Sequence, residues 1–153
     1  MNTLELKVPP PLVALILAAG MWIISSFTPS IEISTLVRVV VAIVIALLGG
    51  CSSLAGGMSL RRARTTVNPM KPEGASSLVT SGIYRVTRNP MYVGLLLVLV
   101  AWAAFLAAPW ALVGPLAFVI YMSRFQIRPE ERVLESKFGK PYEDYRAKVR
   151  RWL

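Results

Sequence analysis

No histidine occurs anywhere in this 153-residue chain. Imidazole is a common zinc ligand and the usual acid–base group near neutral pH, so its absence argues against a zinc site and against histidine-based proton transfer. There is one cysteine, Cys51, set inside an apolar block with no partner for an intrachain disulfide. It reads as a small packing residue rather than a reactive one. Acidic residues are scarce too: 8 Asp and Glu face 17 Lys and Arg, a net charge of +9. In a soluble protein that balance would point to nucleic acid. Here the basic residues cluster beside apolar blocks, so anionic lipid headgroups and membrane topology account for them first, and no nucleic-acid partner is expected. Charge is also missing over one long stretch, with none between Val93 and Met122.

What is present is hydrophobic: 55% of the residues, gathered in long blocks. A soluble domain of this size could not hide so much apolar surface, which makes the chain a single all-α integral membrane domain. Four spans are expected, over about 12–27, 36–58, 91–108 and 110–125. The first lacks a cleavage site and follows a weakly charged segment, so it reads as a retained helix rather than a signal peptide. Thr28-Pro29-Ser30 breaks it. In the second, Arg38 is placed to snorkel to the surface, and Gly49-Gly50 and Gly56-Gly57 invite close approach by another helix. Pro109 divides the third span from the fourth, which is expected to kink near Pro115. The segment 60–90 carries prolines and glycines that forbid one continuous helix, and its length suits a cover over a site better than a plain connector. Arginine and lysine crowd 60–90 and 126–153 but are nearly absent from the other connections. By the positive-inside rule both termini lie on the cytoplasmic side of an inner or plasma membrane, and the two basic segments meet on one face.

The most informative stretch lies at that meeting point: Gly-Ile-Tyr-Arg-Val-Thr-Arg-Asn-Pro-Met-Tyr-Val-Gly, Gly82 to Gly94. Asn89 suits an N-cap and Pro90 the first helical residue. The free N–H groups of that helix start favour an anion, and Arg88 adds a formal charge beside them. The arginines and tyrosines equally suit an anchor at the lipid headgroups. After Ser123, Pro129 can open a helix with Glu130 and Glu131 in its first turn. Val133, Leu134 and Phe138 give that helix an apolar stripe, and Gly139 stops it. Tyr142 and Tyr145 follow, one turn apart. Alone, this segment is equally an interfacial amphipathic helix.

Taken together, Arg-Asn-Pro-Met-Tyr-Val-Gly, a helical hairpin, Pro-Glu-Glu, Phe-Gly and the paired tyrosines resemble the integral-membrane methyltransferases. That superfamily includes isoprenylcysteine carboxyl methyltransferases and phospholipid N-methyltransferases. The likeness runs from about Thr66 onward. It implies S-adenosyl-L-methionine as cofactor, with Tyr84, Arg88, Asn89, Pro90, Tyr92, Gly94, Glu130, Glu131, Tyr142 and Tyr145 around it. It also implies a lipophilic, membrane-partitioned acceptor such as an isoprenylcysteine-like carboxylate or a lipid amine. Many members carry histidine where this chain has Asn89, so a titrating imidazole is excluded there, although asparagine can still cap and hydrogen-bond. Arg124 and Arg128 are candidates to orient a carboxylate acceptor, or simply mark the membrane exit. The competing readings are a non-catalytic membrane protein that binds an anionic lipid or cofactor, and a small helical subunit of a membrane complex.

Overall fold

The computed structural model describes residues 5–153. Among them all regular structure is helical. Helix α1 spans Pro10–Phe27, with a proline in its first turn, and gives way to extended backbone at Thr28. Helix α2 spans Thr35–Arg62 and α3 spans Pro90–Leu106. Ala107, in the left-handed conformation, ends α3 and returns its N–H to Ala103 O at 3.0 Å. After a 3-10 turn at Pro109–Leu112 comes α4, Val113–Tyr121. A π-helical stretch, Met122–Ile127, joins it without a break to α5, Arg128–Phe138, and Gly139 separates α5 from α6, Lys140–Lys148.

Among the described residues, three helical stretches are long and apolar enough to cross a membrane: Pro10–Phe27, Thr35–Arg62 and the continuous Pro109–Phe138. Helix α3 is apolar but has 17 residues, about 25 Å at the α-helical rise. The protein is an all-helical integral membrane protein with four apolar segments.

Helix α3 is the hub, touching α1, α2 and α4, while α2 packs almost wholly on α3. The α1–α3–α4 core is closed by Met21, Leu99, Phe118 and Met122, all nearly inaccessible to solvent. The α2–α3 contact rests on small residues. A Cβ on Gly94 would lie 2.5 Å from Gly49 O, and one on Gly56 would meet the Pro90 ring at 2.8 Å. Ser52 Oγ and Ser53 Oγ donate across the same contact to Pro90 O and Met91 O, at 2.8 and 3.2 Å.

Several expectations change in detail. Only Gly49 and Gly56 of the paired glycines face α3; a Cβ on Gly50 or Gly57 would meet nothing. The seven-residue spacing selects one helical face, and its neighbours point elsewhere. Near Pro115, where a kink is expected, the helix changes from the 3-10 turn Pro109–Leu112 to α at Val113, which puts that proline in the first α turn, where a missing N–H costs little. A second irregularity, the π-helical stretch, sits at Met122–Ile127. Pro129 does not open a fresh helix, since the chain is already helical when it arrives. Glu130 and Glu131 therefore face no free helix end. Arg38 has a protein partner as well: its Nε donates to Phe105 O at 2.7 Å, its Nη2 to the same oxygen, and its guanidinium lies over the Phe105 ring.

The start of α3, the end of α2 and the residues after α4 converge at one end of the bundle. The segment before α1 joins them: Leu6 N–H donates to Phe125 O at 3.1 Å, and Glu5 pairs with Arg132 at 2.6 Å. The connection from α2 to α3 folds over this end. Ser77 Oγ and Ser76 Oγ pin it to Ala63 O and Arg64 O, while Gln126 Nε2 and Lys137 Nζ reach across to Pro69 O and Glu73 O at 2.6 and 2.7 Å.

Candidate active site

The site is organised by the entry into α3. Pro90 is the first helical residue and Asn89 the N-cap, but Asn89 makes no side-chain cap. Its Nδ2 instead donates to Arg151 O at 2.9 Å. A long-range, part-buried partner takes the place of the local cap. Pro90 has no N–H and the Val93 N–H is taken by Asn89 O, so the amides of Met91 and Tyr92 are left at the helix start without a side-chain cap.

These residues border a cavity. Its other walls are Leu60 at the end of α2, the connection from Thr65 to Val79, Ile127 to Leu134, and Tyr142 and Tyr145 of α6. Tyr84, Arg88, Asn89, Pro90, Tyr92, Glu130, Glu131, Tyr142 and Tyr145 are thus brought together around one space. Gly94 is not among the lining residues, for it is consumed in the contact with Gly49 and Ser53. Arg124 and Arg128 do not line the cavity either, and both are exposed.

The electrostatics of the walls are uneven. Glu131 is held by two guanidiniums: Arg151 grips it with Nε and Nη2 at 3.0 and 2.6 Å, and Arg88 Nη2 lies 3.1 Å from Oε1. Glu130, one residue earlier, has neutral partners only. It accepts from Tyr92 OH and from Gln126 Nε2, the latter at 2.7 Å, and no ion pair reaches it among the described residues. Arg88 is the converse case. Its side chain is 10% exposed, one nitrogen meets Glu131, and Nε and Nη1 are buried with no hydrogen-bond partner. Unmet donors on a buried cation are costly, and native proteins rarely leave them so without a reason.

A tyrosine cluster completes the lining. Tyr142 and Tyr145 sit edge to face with ring centroids 6.4 Å apart, and Tyr145 OH donates to Tyr84 O at 2.7 Å. Leu134, Phe138 and Val149 pack behind them. Burial, with the charge of Glu131 second, pushes the Tyr142 hydroxyl up to about 12; burial raises Tyr84 and Tyr145 as well. All three are neutral phenols near pH 7, suited to stacking and hydrogen bonding rather than to proton abstraction.

Three participants escaped the sequence reading. Arg151 is one of two adjacent arginines in a basic run, and nothing local singles it out. Gln126 bridges Pro69 O and Glu130, and its spacing of four from Glu130 is the sole sequence hint. Thr87 is 1% exposed; its Oγ1 donates to Arg151 O at 3.2 Å and accepts from Asn89 N–H.

The fold and site together define an all-helical membrane protein with a cavity at one end of the bundle, bearing unmet cationic donors opposite an uncompensated carboxylate. Comparison with known proteins gives the family. The phospholipid methyltransferase family model matches residues 37–141, more than half of the chain, and the chain belongs to that family. A probable protein-S-isoprenylcysteine O-methyltransferase of Oryza sativa is 32% identical over 112 residues, covering 71% of this chain and 57% of the rice protein. Protein-S-isoprenylcysteine O-methyltransferase B of Arabidopsis thaliana is 32% identical over 91 residues, covering 58% and 45%. The chain thus spans about half the length of these plant relatives. An uncharacterized protein of Haemophilus influenzae is 49% identical over 63 residues, covering 41% of this chain and all of that one. No solved structure matches the chain.

Proposed function

We propose that the protein transfers a methyl group from S-adenosyl-L-methionine to a lipophilic acceptor that partitions into the bilayer. The observation that carries this reading is the pairing, in one cavity, of the free Nε and Nη1 of Arg88 with the uncompensated carboxylate of Glu130. A zwitterionic amino-acid group answers both at once. Arg88 and the capless amides at the start of α3 would hold its carboxylate, and Glu130 its ammonium. Tyr84, Tyr142 and Tyr145 would offer aromatic surface to the adenine. Glu131, tied to two arginines, would keep Arg88 in place rather than meet the ligand.

When bound, the cofactor supplies a methyl group activated by a sulfonium. Its transfer is an in-line displacement that needs alignment and exclusion of water more than a protein nucleophile. The chain's part is to bind and orient. The connection from Thr65 to Val79 walls one side of the cavity, and Leu60, Met91, Ile127 and Leu134 give it apolar walls for an acceptor. An isoprenylcysteine-like carboxylate or a lipid amine fits the class of molecule named by the family and the plant relatives. The exposed positions of Arg124 and Arg128 favour headgroup contacts at the membrane exit over a role in aligning the acceptor. The crowding of arginine and lysine at the site end favours placing it, with both chain ends, on the cytoplasmic side of an inner or plasma membrane.

Protein purified in mild detergent should carry S-adenosylmethionine or S-adenosylhomocysteine by mass spectrometry, or bind the latter by calorimetry after dialysis. Failure to bind either ligand would overturn the reading. Turnover should rise with acceptor chain length and then plateau, since each buried methylene contributes about 0.8 kcal/mol. A preference for fully water-soluble acceptors would remove the lipophilic part of the assignment.

A further inference from the structure

The arginine that meets the cavity is controlled by a segment far from it in sequence. The strap Arg150–Trp152 lies across Thr87–Asn89 and is fastened at five points. Arg88 N–H donates to Arg150 O at 3.0 Å, Thr87 Oγ1 and Asn89 Nδ2 both donate to Arg151 O at 3.2 and 2.9 Å, and Trp152 Nε1 donates to Ser123 Oγ at 3.2 Å. The fifth fastening is the Arg151 fork on Glu131, at 3.0 and 2.6 Å.

The geometry of that fork matters more than its presence. A guanidinium and a carboxylate prefer two parallel bonds, and Glu131 already lies against Arg88. Left alone with Arg88, Glu131 would take a two-pronged grip and consume a second donor. Arg151 occupies both oxygens instead, so Arg88 keeps a single contact at 3.1 Å and holds Nε and Nη1 free. The two arginines also share one carboxylate, which leaves the trio with a net positive charge at the cavity wall.

We propose that Arg151 is a positioning residue: by engaging Glu131 it prevents that carboxylate from capturing Arg88, and so keeps the anion-binding donors of Arg88 open. This rests on the cofactor reading above. It predicts a defect confined to ligands with a carboxylate. A strap that merely held the fold together would weaken every ligand alike.

The test is calorimetry in detergent with two probes, S-adenosylhomocysteine and 5′-methylthioadenosine, which shares the nucleoside and sulfur but lacks the amino-acid end. Thermal unfolding of each variant accompanies it. Arg151→Ala is expected to weaken the first probe roughly 30-fold and the second less than about 3-fold. Arg151→Lys, which can engage only one oxygen well, should fall between Arg151→Ala and the unaltered protein even if the alanine variant folds poorly. Glu131→Ala should weaken S-adenosylhomocysteine about tenfold by loosening Arg88. The double variant decides the mechanism. Independent losses would multiply to roughly 300-fold, whereas removal of the capturing carboxylate should return the double variant to about the level of Glu131→Ala.

Equal losses for the two probes in Arg151→Lys, no loss at all, or multiplicative losses in the double variant would each overturn the proposal. Binding of neither probe by the unaltered protein is a different result, and it would remove the cofactor reading together with this inference.

Discussion

The two ends of α3 each carry an arginine from outside the helix, and the two have opposite fates. At the Leu106 end, Arg38 reaches over from α2 and directs Nε and Nη2 to Phe105 O, with its plane near the Phe105 ring. Here a cation meets the negative end of a helix dipole, and the contact serves the fold. At the Pro90 end, Arg88 stands beside a positive helix end, which is the unfavourable pairing. Its side chain is largely covered, and two of its nitrogens are buried without a partner. One end satisfies its charges, while the other concentrates unmet positive donors around a cavity. The difference separates an arginine that stabilises from one held ready for something else.

The largest effect should come from removing the second arginine. Arg88→Ala is expected to weaken S-adenosylhomocysteine about 100-fold by calorimetry, since two charge-assisted contacts are lost. Arg88→Lys keeps the charge but loses the planar fork and should cost about 30-fold; wild-type affinity in that variant would make Arg88 an anchor like any other. Glu131→Gln keeps the size but cannot hold two guanidiniums, and a loss of about tenfold is expected.

Glu130→Gln should move two measurements in opposite directions. Affinity should fall about 5-fold as the ammonium loses its partner, while thermal stability should rise by about 1 kcal/mol as an uncompensated, partly buried charge disappears. A joint fall would mean that Glu130 serves the fold. Arg38→Ala, at the other end of α3, should leave affinity unchanged and lower stability by about 1 kcal/mol through the lost bond to Phe105 O. A binding defect in that variant would dissolve the contrast between the two ends.

The elements that were legible in advance are those set by neighbours in the chain. Runs of apolar residues, broken at Thr28-Pro29 and Pro109, located the apolar segments, because a helix in lipid must satisfy its own backbone and its breaks follow local composition. Pro90 at the start of α3 and Gly139 after α5 belong to the same class. The end of the last apolar segment was not legible: expected near 125, the helix runs on through Met122–Ile127 to Phe138. The motif from Tyr84 to Tyr145 was enough to suggest the family that the chain proved to belong to. Roles that turn on where a side chain points were another matter. Asn89 has the right type for a cap but is claimed by Arg151 O; Gly94 sits in the motif yet is spent on packing against Gly49; Arg124 and Arg128 lie at a suggestive place but face outward.

What the sequence determined by itself was therefore the helices, the clustering of basic residues, and the kinds of groups a site would be made from. Only the tertiary structure decided which groups were satisfied and which were left open. Glu131 meets an arginine 20 residues away, and the turn at Thr87–Asn89 meets a strap more than 60 residues on. Periodicity fixes neighbours three or four residues apart. It carries no information on contacts created when helices pack, and the free donors of Arg88 are what those contacts leave behind.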